Sequence, residues 1–327
     1  MQTIPPDPIP PQSAPLYHET APKIPVIFLM GPTASGKSRL AMTLATALGL
    51  EIVNADSVQI YRGLEIGSAK PTPEERRLVP HHLLDATDPD HPWSADRYRE
   101  AAWETIRTLH QRGVTPLFVG GSGLYLRAVE QGLALTPPID ETWLTAIRAE
   151  AAQTGWPHLH QRLTTADPQA AAKITPGDAQ RILRALSVFM ATGTPLSTWQ
   201  KQQPPPPPWR LLKLALIPPR TVLYPRIEAR FDQMLQRGLL EEAQALLAQG
   251  YDPGLPAMKA VGYRQLFHHL TGAVPLTEAI DHAKRESRRY AKRQETWLKR
   301  ESGVIVLSSE PPDAEALAHI RRFMAGG

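Results

Sequence analysis

The chain has 327 residues, of which 42% are hydrophobic, and its formal net charge is only +4. This composition supports a substantial core, while no apolar run approaches the roughly 20 residues that cross a membrane. Cysteine is absent, which excludes disulfides, thiolate metal sites and cysteine nucleophiles and leads us to expect a cytoplasmic protein.

The first residues differ in composition from the rest of the chain. Eight prolines lie between Met1 and Pro25, and this stretch has neither the basic start nor the apolar run of a secretory signal. We therefore predict a disordered leader over residues 1–23.

Residues 31–38 have the pattern of a phosphate-binding loop in its usual context. An apolar run, Ile24–Met30, precedes the loop, and a helical stretch, Arg39–Leu48, follows it. The glycines let backbone N–H groups converge on an anion, Lys37 supplies a positive charge, and the Ser38 hydroxyl suits Mg²⁺. We expect a phosphorylated ligand, held by Gly31, Pro32, Thr33, Ala34, Ser35, Gly36, Lys37 and Ser38.

Strands and helices alternate after this loop. Leu50–Asn54 and Thr115–Val119 are predicted strands, and Ala95–Gln111 between them is a predicted helix. This alternation predicts an α/β fold with a parallel sheet flanked by helices, as in phosphate-loop NTPases. Ligands of such sheets bind at the carboxyl ends of strands, which here are the phosphate loop, Asp56-Ser57 and residues 120–123.

The pattern changes between residues 132 and 203. Alanine-rich helices, Trp143–Gln153 and Ala179–Thr192, predict an all-helical domain inserted into the core, and Pro204–Pro208 forms a stiff spacer after it. The buried strand Leu211–Ile217 returns to the sheet, and the remainder is predicted to be helical. The predicted parts are residues 24–131 for the first part of the core, 132–203 for an insertion contacting RNA, and 204–327 for the completed core and basic helices.

An acidic residue, Asp56, follows the second predicted strand. A carboxylate there could ligate Mg²⁺, cap a helix or act as a general base. The strand that ends at Val119 runs into glycines where many phosphate-loop NTPases carry an aspartate, which argues against nucleotide hydrolysis. Glycines there would let another molecule approach the backbone closely.

Three arginines follow the returning strand. Arg220 and Arg226 could reach an anionic leaving group, and Arg230 lies one helical turn beyond Arg226. Surface ion pairs with Glu228 or Asp232 are the alternative for Arg226 and Arg230.

A different polar cluster, His81-His82 with Asp85, suggests a metal site. Adjacent histidines of a strand point to opposite faces, so we do not expect metal ligation there.

Basic residues are concentrated near the C-terminus. Eight of them lie at helical spacing between Lys284 and Arg300, opposite Ala283, Tyr290 and Trp297. In a chain of nearly neutral net charge this distribution favours a nucleic-acid backbone as the partner, and a solvated helix face is the alternative.

Eight motifs occur in an order that is specific to one family. They are Gly31–Ser38, Asp56–Tyr61, Ile66–Pro71, Pro80–Asp85, Gly120–Tyr125, Gln180–Leu186, Met258–Gln265 and the basic helix. The series resembles the bacterial tRNA dimethylallyltransferase (tRNA isopentenyltransferase) family over residues 24–300. Ser68 and Ser122 stand where the family commonly has threonine, and both keep the hydroxyl.

The resemblance implies transfer of the dimethylallyl group of dimethylallyl diphosphate to N6 of the adenine at tRNA position 37, beside the anticodon. It implies that Asp56 is the general base, and we expect Lys37, Ser122 and Arg220 as further catalytic residues and Mg²⁺ as the cofactor. The expected partners are the tRNA anticodon stem-loop and dimethylallyl diphosphate, with no membrane and a monomeric protein. The implied tRNA contacts are Asp56, Ser57, Val58, Gln59, Ser122, Gln180, Arg181, Ile182, Leu183, Arg184, Lys259, Ala260, Val261, Gly262, Tyr263, Arg264, Arg288, Arg289, Lys292 and Arg293.

Two other functions share parts of this pattern. A nucleoside or nucleotide kinase would begin in the same way, but it should carry an arginine-rich lid, and the predicted insertion has few basic residues. An RNA-binding ATPase should carry an acidic residue after an apolar strand, and we find none beyond Asp56.

Overall fold

The computed structural model describes residues 23–133, 136–202, 207–308 and 310–326. Within these ranges the strands are β1 (Ile24–Met30), β2 (Glu51–Ala55), β3 (His81–His82), β4 (Pro116–Gly120), β5 (Trp209–Ala215) and β6 (Val304–Val306). The helices up to β5 are α1 (Lys37–Leu48), α2 (Pro73–Leu78), α3 (Ala95–Gln111), α4 (Gly123–Gln131), α5 (Glu141–Thr154), α6 (Trp156–Ala166), α7 (Pro168–Ala171), α8 (Ala179–Thr192) and α9 (Leu196–Trp199). Those after β5 are α10 (Arg220–Gln236), α11 (Leu239–Ala248), the short 3₁₀ helix Ala257–Lys259, α12 (Tyr263–Leu270), α13 (Leu276–Leu298) and α14 (Asp313–Ala325).

The strands form one sheet in the order β3-β2-β4-β1-β5-β6, and every pair is parallel. The strand before the phosphate loop, β1, lies between β4 and β5. Gly120 at the end of β4 is in register with Met30 of β1 and with Ala55 of β2. The predicted parallel α/β fold is confirmed, and the ends of β1, β4 and β2 lie side by side.

Two short strands lie at the sheet edges, and the one near the C-terminus was not predicted. β3 has two residues and pairs with β2, while β6 has three residues and pairs with β5. The prediction that the chain is helical after the returning strand was therefore wrong at Val304–Val306. So short a run shows no periodicity in the sequence, and only its pairing with β5 makes it a strand.

Alternate residues of β1 point into two different cores. Val26, Phe28 and Met30 pack in a core that includes α3 and α4, whereas Ile27 and Leu29 pack in a core that includes α1 and α14. Burial of each large apolar side chain contributes roughly 1.5–3 kcal/mol, less the entropy of ordering it. Helices thus cover both sheet faces, and the strand ends remain accessible to a ligand.

Helices α5 to α9 lie between β4 and β5 in the chain and have a hydrophobic core of their own. Ile147, Leu159, Leu163 and Leu186 are fully buried there. After this segment β5 pairs with β1 along its whole length. The arrangement supports the predicted insertion, whose boundaries at residues 132 and 203 remain a prediction.

Two predicted segments fall wholly or partly outside the described ranges. These are the proline-rich leader up to residue 22 and residues 204–206 of the proline spacer. Pro208, at the end of the spacer, accepts a hydrogen bond from the N–H of Ile24 at 2.9 Å. No helix within the described ranges is long and apolar enough to cross a membrane.

Candidate active site

A cavity of about 1280 Å³ lies at the carboxyl ends of the central strands. It is lined by residues 33–38 of the phosphate loop, by Asp56 to Gln59 after β2, and by Gly120 at the end of β4. Parallel strands end at one edge of a sheet, so segments far apart in sequence meet there. The three predicted strand ends therefore contribute to one site.

The phosphate loop bends through left-handed backbone positions. Gly36 has φ +92° and Ala34 has φ +62°. The N–H of Ser35 and the ammonium of Lys37 donate to the carbonyl of Pro32, at 3.2 Å and 3.3 Å. This turn leads directly into α1, whose N-terminus favours an anion.

Two cations and one carboxylate influence one another inside the cavity. Burial lowers the pKa of Lys37 to about 8, an effect that the charge of Asp56 opposes and that of Arg230 reinforces. Burial also lowers the pKa of Arg230, again opposed by Asp56. Neither cation forms an ion pair with any residue in the described ranges. Because an unpaired charge that has lost part of its water is unfavourable, the site favours an anion that contacts both cations.

The structure separates the three arginines considered for an anionic leaving group. Arg226 and Arg230 line the cavity, whereas Arg220 is not among the lining residues and donates to Glu295 at 2.8 Å. Arg230 donates to the hydroxyl of Thr33 in the phosphate loop at 3.3 Å. Arg220 therefore lies away from the cavity to which its catalytic role was expected to belong, whereas Arg226 and Arg230 lie at it.

The acidic residues considered as partners of Arg226 and Arg230 pair with another helix. Glu228 of α10 forms an ion pair with Arg288 of α13, and Asp232 pairs with Lys284 at 2.7 Å. These two contacts join α10 to α13. They also leave the cavity-lining arginines of α10 without these competing carboxylates.

Asp56 is held by its neighbours with part of its carboxylate uncommitted. Its N–H donates to the side-chain carbonyl of Asn54 at 2.9 Å, and its own carbonyl accepts from the Asn54 amide at 3.0 Å. Oδ1 of Asp56 accepts from the N–H of Val58 at 2.9 Å. Oδ2 has no hydrogen bond to any described residue. A fixed carboxylate with one unused oxygen is suited to act as a base.

The glycines after β4 are required by contacts within the chain. A Cβ on Gly120 would lie 2.1 Å from the carbonyl oxygen of Ala55. One on Gly121 would lie 2.2 Å from the amide nitrogen of Gln294, and one on Gly123 would lie 2.4 Å from the Trp297 ring. Side chains of α13 therefore fill part of the space at Gly121 and Gly123, while Gly120 lines the main cavity and Gly121 and Gly123 line a smaller one. That another molecule approaches these glycines stays a prediction.

Ser122 lies beside the main cavity. It lines a smaller cavity of about 350 Å³, which shares Ser57 and Tyr290 with the larger one. Its hydroxyl accepts the N–H of Ser57 at 3.0 Å and donates to the Ser57 hydroxyl at 3.3 Å. Burial and the charge of Asp56 raise the pKa of Tyr290, while a hydrogen bond with Ser122 opposes the shift. Ser122 is thus connected to the cavity through two hydroxyl-bearing neighbours.

The predicted RNA contacts after residue 179 are divided between the cavity wall and the cores. Ile182 and Tyr263 are fully buried. This corrects their prediction as RNA contacts, because a side chain in a core cannot reach RNA. Tyr263 instead accepts the N–H of Gly67 at 3.1 Å and donates to Glu242. The predicted contacts that do line the cavity are Gln180, Lys259, Ala260, Val261, Arg264 and Arg293.

The remaining predicted residues of α8 have local partners. Arg181 forms an ion pair with Asp178, and Arg184 donates to the hydroxyl of Thr136 at 2.5 Å. Leu183 packs against the core of the helical segment. Only Gln180 of this motif lines the cavity.

The eight basic residues between Lys284 and Arg300, in α13 and just beyond its end, form two groups. Lys284, Arg288, Arg289 and Lys299 form ion pairs with Asp232, Glu228, Glu286 and Glu295. The other four, Arg285, Lys292, Arg293 and Arg300, are exposed and have no ion-pair partner in the ranges described. Arg293 lines the cavity, and the remaining three, Arg285, Lys292 and Arg300, are called the unpaired group below. Nearby acidic residues thus neutralise about half of the predicted cationic stripe.

The described ranges contain no cluster of three or more His, Cys, Asp or Glu side chains that could hold a metal. His82 bonds to Glu51 at 2.7 Å, and Asp85 pairs with Lys70 and Arg76. Ser38 is exposed in the first turn of α1, and its hydroxyl has no partner among the residues described. A metal here would need most of its ligands from a bound diphosphate and water, as Mg²⁺ often has.

Sequence analysis did not single out Gln294, which contacts both the phosphate loop and Gly121. A signal was present in the helical repeat. Gln294 lies four residues after Tyr290 and four before Leu298, so it falls on the buried side of the basic helix. A polar side chain on such a face requires hydrogen-bond partners.

Comparisons with known proteins agree with one another. The sequence pattern of the IPP transferase family matches residues 59–301. A tRNA dimethylallyltransferase of Magnetococcus marinus is 52% identical over 300 residues, covering 90% of this chain and 98% of the relative. One of Syntrophobacter fumaroxidans is 48% identical, covering 86% and 83%.

Two solved structures extend this similarity to the fold. The full-length tRNA isopentenylpyrophosphate transferase of Bacillus halodurans has a TM-score of 0.68 at 37% identity, covering 93% of this chain and 96% of that one. A eukaryotic dimethylallyltransferase acting on tRNA has a TM-score of 0.79 at 26% identity, covering 92% and 80%.

Proposed function

Since the chain belongs to the IPP transferase family, we propose that it transfers the dimethylallyl group of dimethylallyl diphosphate to tRNA. The acceptor that we assign is N6 of the adenine at position 37, beside the anticodon. The protein is thus a transferase that modifies tRNA.

The observation that best supports this proposal is that Asp56, Lys37 and Arg230 line the same cavity and influence one another's charge. A prenyl transfer to an amine needs stabilisation of an anionic leaving group and removal of a proton. The two half-buried cations fit the first need, and the uncommitted carboxylate oxygen of Asp56 fits the second. The cavity exceeds the roughly 300–1000 Å³ of an ordinary ligand pocket, which supports binding of both a diphosphate and a nucleobase.

In the proposed reaction the bond between the dimethylallyl C1 and the diphosphate oxygen breaks, and its electron pair leaves with the diphosphate. Lys37, Arg230 and the N-terminus of α1 stabilise the charge that develops there. The adenine N6 forms a bond to C1, and one N6 proton moves to Asp56. A positioned base of this kind contributes roughly 10²- to 10⁴-fold.

The acceptor base must leave its stack to reach Asp56, which lies within the cavity. Gln180, Lys259 and Arg264 line the wall of the same cavity and are our candidates for contacts to the nucleotides around the flipped base. The unpaired group of α13 would contact phosphates of the anticodon stem-loop. Contacts to splayed loop nucleotides are the usual means by which proteins read RNA sequence.

Mg²⁺ fits this site as a companion of the diphosphate. Ser38 would be the protein ligand, since its hydroxyl has no partner in the described ranges and the surroundings offer no acidic cluster. The ion would neutralise part of the diphosphate charge. The residues of the chain bind the donor and move the proton.

The comparisons do not favour the two other functions considered. The relatives described above are named as tRNA transferases, and none of them is named as a kinase or an ATPase. The turn after β4 also lacks an acidic residue for an ATPase metal site.

Mass analysis of tRNA nucleosides after incubation with dimethylallyl diphosphate tests the proposal. We expect dimethylallyladenosine to form from a tRNA with adenosine at position 37. A transcript with guanosine at that position is the matched control and should remain unmodified. Phosphorylated product with ATP, and no prenylated nucleoside with dimethylallyl diphosphate, would favour a kinase instead.

A further inference from the structure

Gln294 joins two parts of the active site that lie far apart in the sequence. Its side chain is 6% exposed and projects from α13. Oε1 accepts the N–H of Thr33 in the phosphate loop at 2.9 Å, and Nε2 donates to the carbonyl of Gly121 at 3.1 Å. The amide therefore spans the space between the loop and the turn after β4.

The turn is shaped to receive this side chain. Any side chain at residue 121 would overlap the Gln294 amide, because its Cβ would lie 2.2 Å from Nε2. One helical turn later, Trp297 packs against Gly123 in the same way. Helix α13 is thus seated on the turn by two side chains that require glycine opposite them.

The position of this turn in the sheet explains why its contact with Gln294 can affect the reaction. Gly120 is in register with both Met30, which precedes the phosphate loop, and Ala55, which precedes Asp56. The turn therefore lies between the loop that would hold the diphosphate and the carboxylate that would take the proton. The distance between these two sites depends on how the loop is fixed relative to the turn.

We propose that Gln294 is a positioning residue for group transfer. Its two hydrogen bonds set the phosphate loop against the turn, and this aligns the reacting carbon of the donor with the amine that faces Asp56. The inference rests on the proposed function. It also changes the expected contacts of the phosphate loop with the diphosphate, because the N–H of Thr33 donates to Gln294.

The test compares two buried glutamines. Gln265 is 1% exposed, and its Oε1 accepts the N–H of Gly262 at 2.9 Å, but it lines neither cavity. Methionine is similar in size and cannot make these hydrogen bonds. We expect Gln294→Met to lower kcat about ten- to hundredfold, with tRNA affinity nearly unchanged, because small misplacements of reacting groups have effects of this size. Gln265→Met should lower Tm and leave kcat close to that of the parent.

A second variant separates positioning from packing. Gln294→Glu keeps the size and the acceptor for Thr33, and the introduced carboxyl can donate to Gly121 only when it is protonated. Its kcat relative to the parent should therefore rise as the pH falls toward about 5. A ratio independent of pH, or a kcat of Gln294→Met within about threefold of the parent, would overturn the proposal. Equal losses of kcat in the two methionine variants would also overturn it.

Binding of inorganic diphosphate distinguishes this proposal from the proposed function. If the parent protein prenylates no tRNA, the proposed function fails, but the loop can still be examined. We expect Gln294→Met to raise the Kd for diphosphate about fivefold, because the loop loses its anchor, and Gln265→Met to leave it unchanged. An unchanged Kd in both variants would show that Gln294 does not position the loop.

Discussion

The positive charges of this protein occupy two different environments. In the cavity, Lys37 and Arg230 are half-buried near Asp56 and have no ion pairs in the described ranges. On α13 and just beyond its end the charges are more numerous, but four of them already pair with carboxylates. Two unit charges about 4 Å apart interact by about 4 kcal/mol at an effective dielectric constant of 20 and by about 1 kcal/mol in water. Burial therefore makes the two cavity cations suited to one small anion, whereas the exposed cations act on a polyanion only together.

The largest expected effect comes from the carboxylate in the cavity. Asp56→Ala should lower the rate of transfer roughly 10²- to 10⁴-fold, because the amine loses its proton acceptor. Single-turnover kinetics with saturating tRNA and dimethylallyl diphosphate measure this rate. Diphosphate binding should be largely retained, since Asp56 is assigned no contact with the anion. If the rate of the variant is within a few-fold of the parent, Asp56 does not act as the base, and its carboxylate only stabilises the turn through the hydrogen bond from Val58.

Two arginines of α10 test the role of burial directly. Arg230→Ala should lower kcat/KM for the donor about ten- to hundredfold, because Arg230 is half-buried and lines the cavity. Arg220→Ala is the matched control and should change it by less than about threefold, since Arg220 is exposed and bonded to Glu295. The opposite ranking would restore the sequence-based assignment of Arg220.

The two groups of α13 should differ in their contribution to RNA binding. Replacing Arg285, Lys292 and Arg300 together by alanine should weaken tRNA binding about tenfold and make the plot of log affinity against log salt shallower, by up to about one unit per lost phosphate contact. The paired residues Lys284 and Arg288, replaced together, should have a smaller effect on this slope. Binding is measured at several salt concentrations, with dimethylallyl diphosphate binding as the control for folding. If the parent and the triple variant have equal slopes, these three residues make no contacts with RNA phosphates, and this face of the helix is only exposed to solvent.

The smallest effect is the pH dependence of donor binding. Burial lowers the pKa of Lys37 to about 8, so the free protein carries this charge below pH 8 and loses it as the pH rises. Diphosphate affinity should therefore be constant near pH 7 and, above pH 8, fall by up to about tenfold per unit relative to that of a variant whose charge does not titrate. Lys37→Arg keeps its charge and should not show this fall. Calorimetric titration with inorganic diphosphate measures both proteins, and parallel curves would assign the pH dependence to another group.

Predictions from sequence were most accurate where the information is local. The phosphate loop with its flanking strand and helix follows from neighbouring residues, and helices α3 and α8 have the predicted ends. The edge strand β6 was missed because three residues show no period, and only pairing with β5 creates it. The same limit explains Ile182 and Tyr263, whose motifs gave no sign that their side chains are in cores.

The sequence by itself determined the order of strands and helices, the phosphate loop and the resemblance to one enzyme family, because these depend on residue types at short spacing. Only the tertiary structure decided which charges matter. In the folded chain Arg230 lines the cavity, whereas Arg220 bonds to Glu295. Glu228 pairs with Arg288, and the Gln294 amide lies between the phosphate loop and Gly121. The physical reason is that the interaction of a charge or an amide depends on its burial and its partners. Those partners come from segments separated by tens to hundreds of residues.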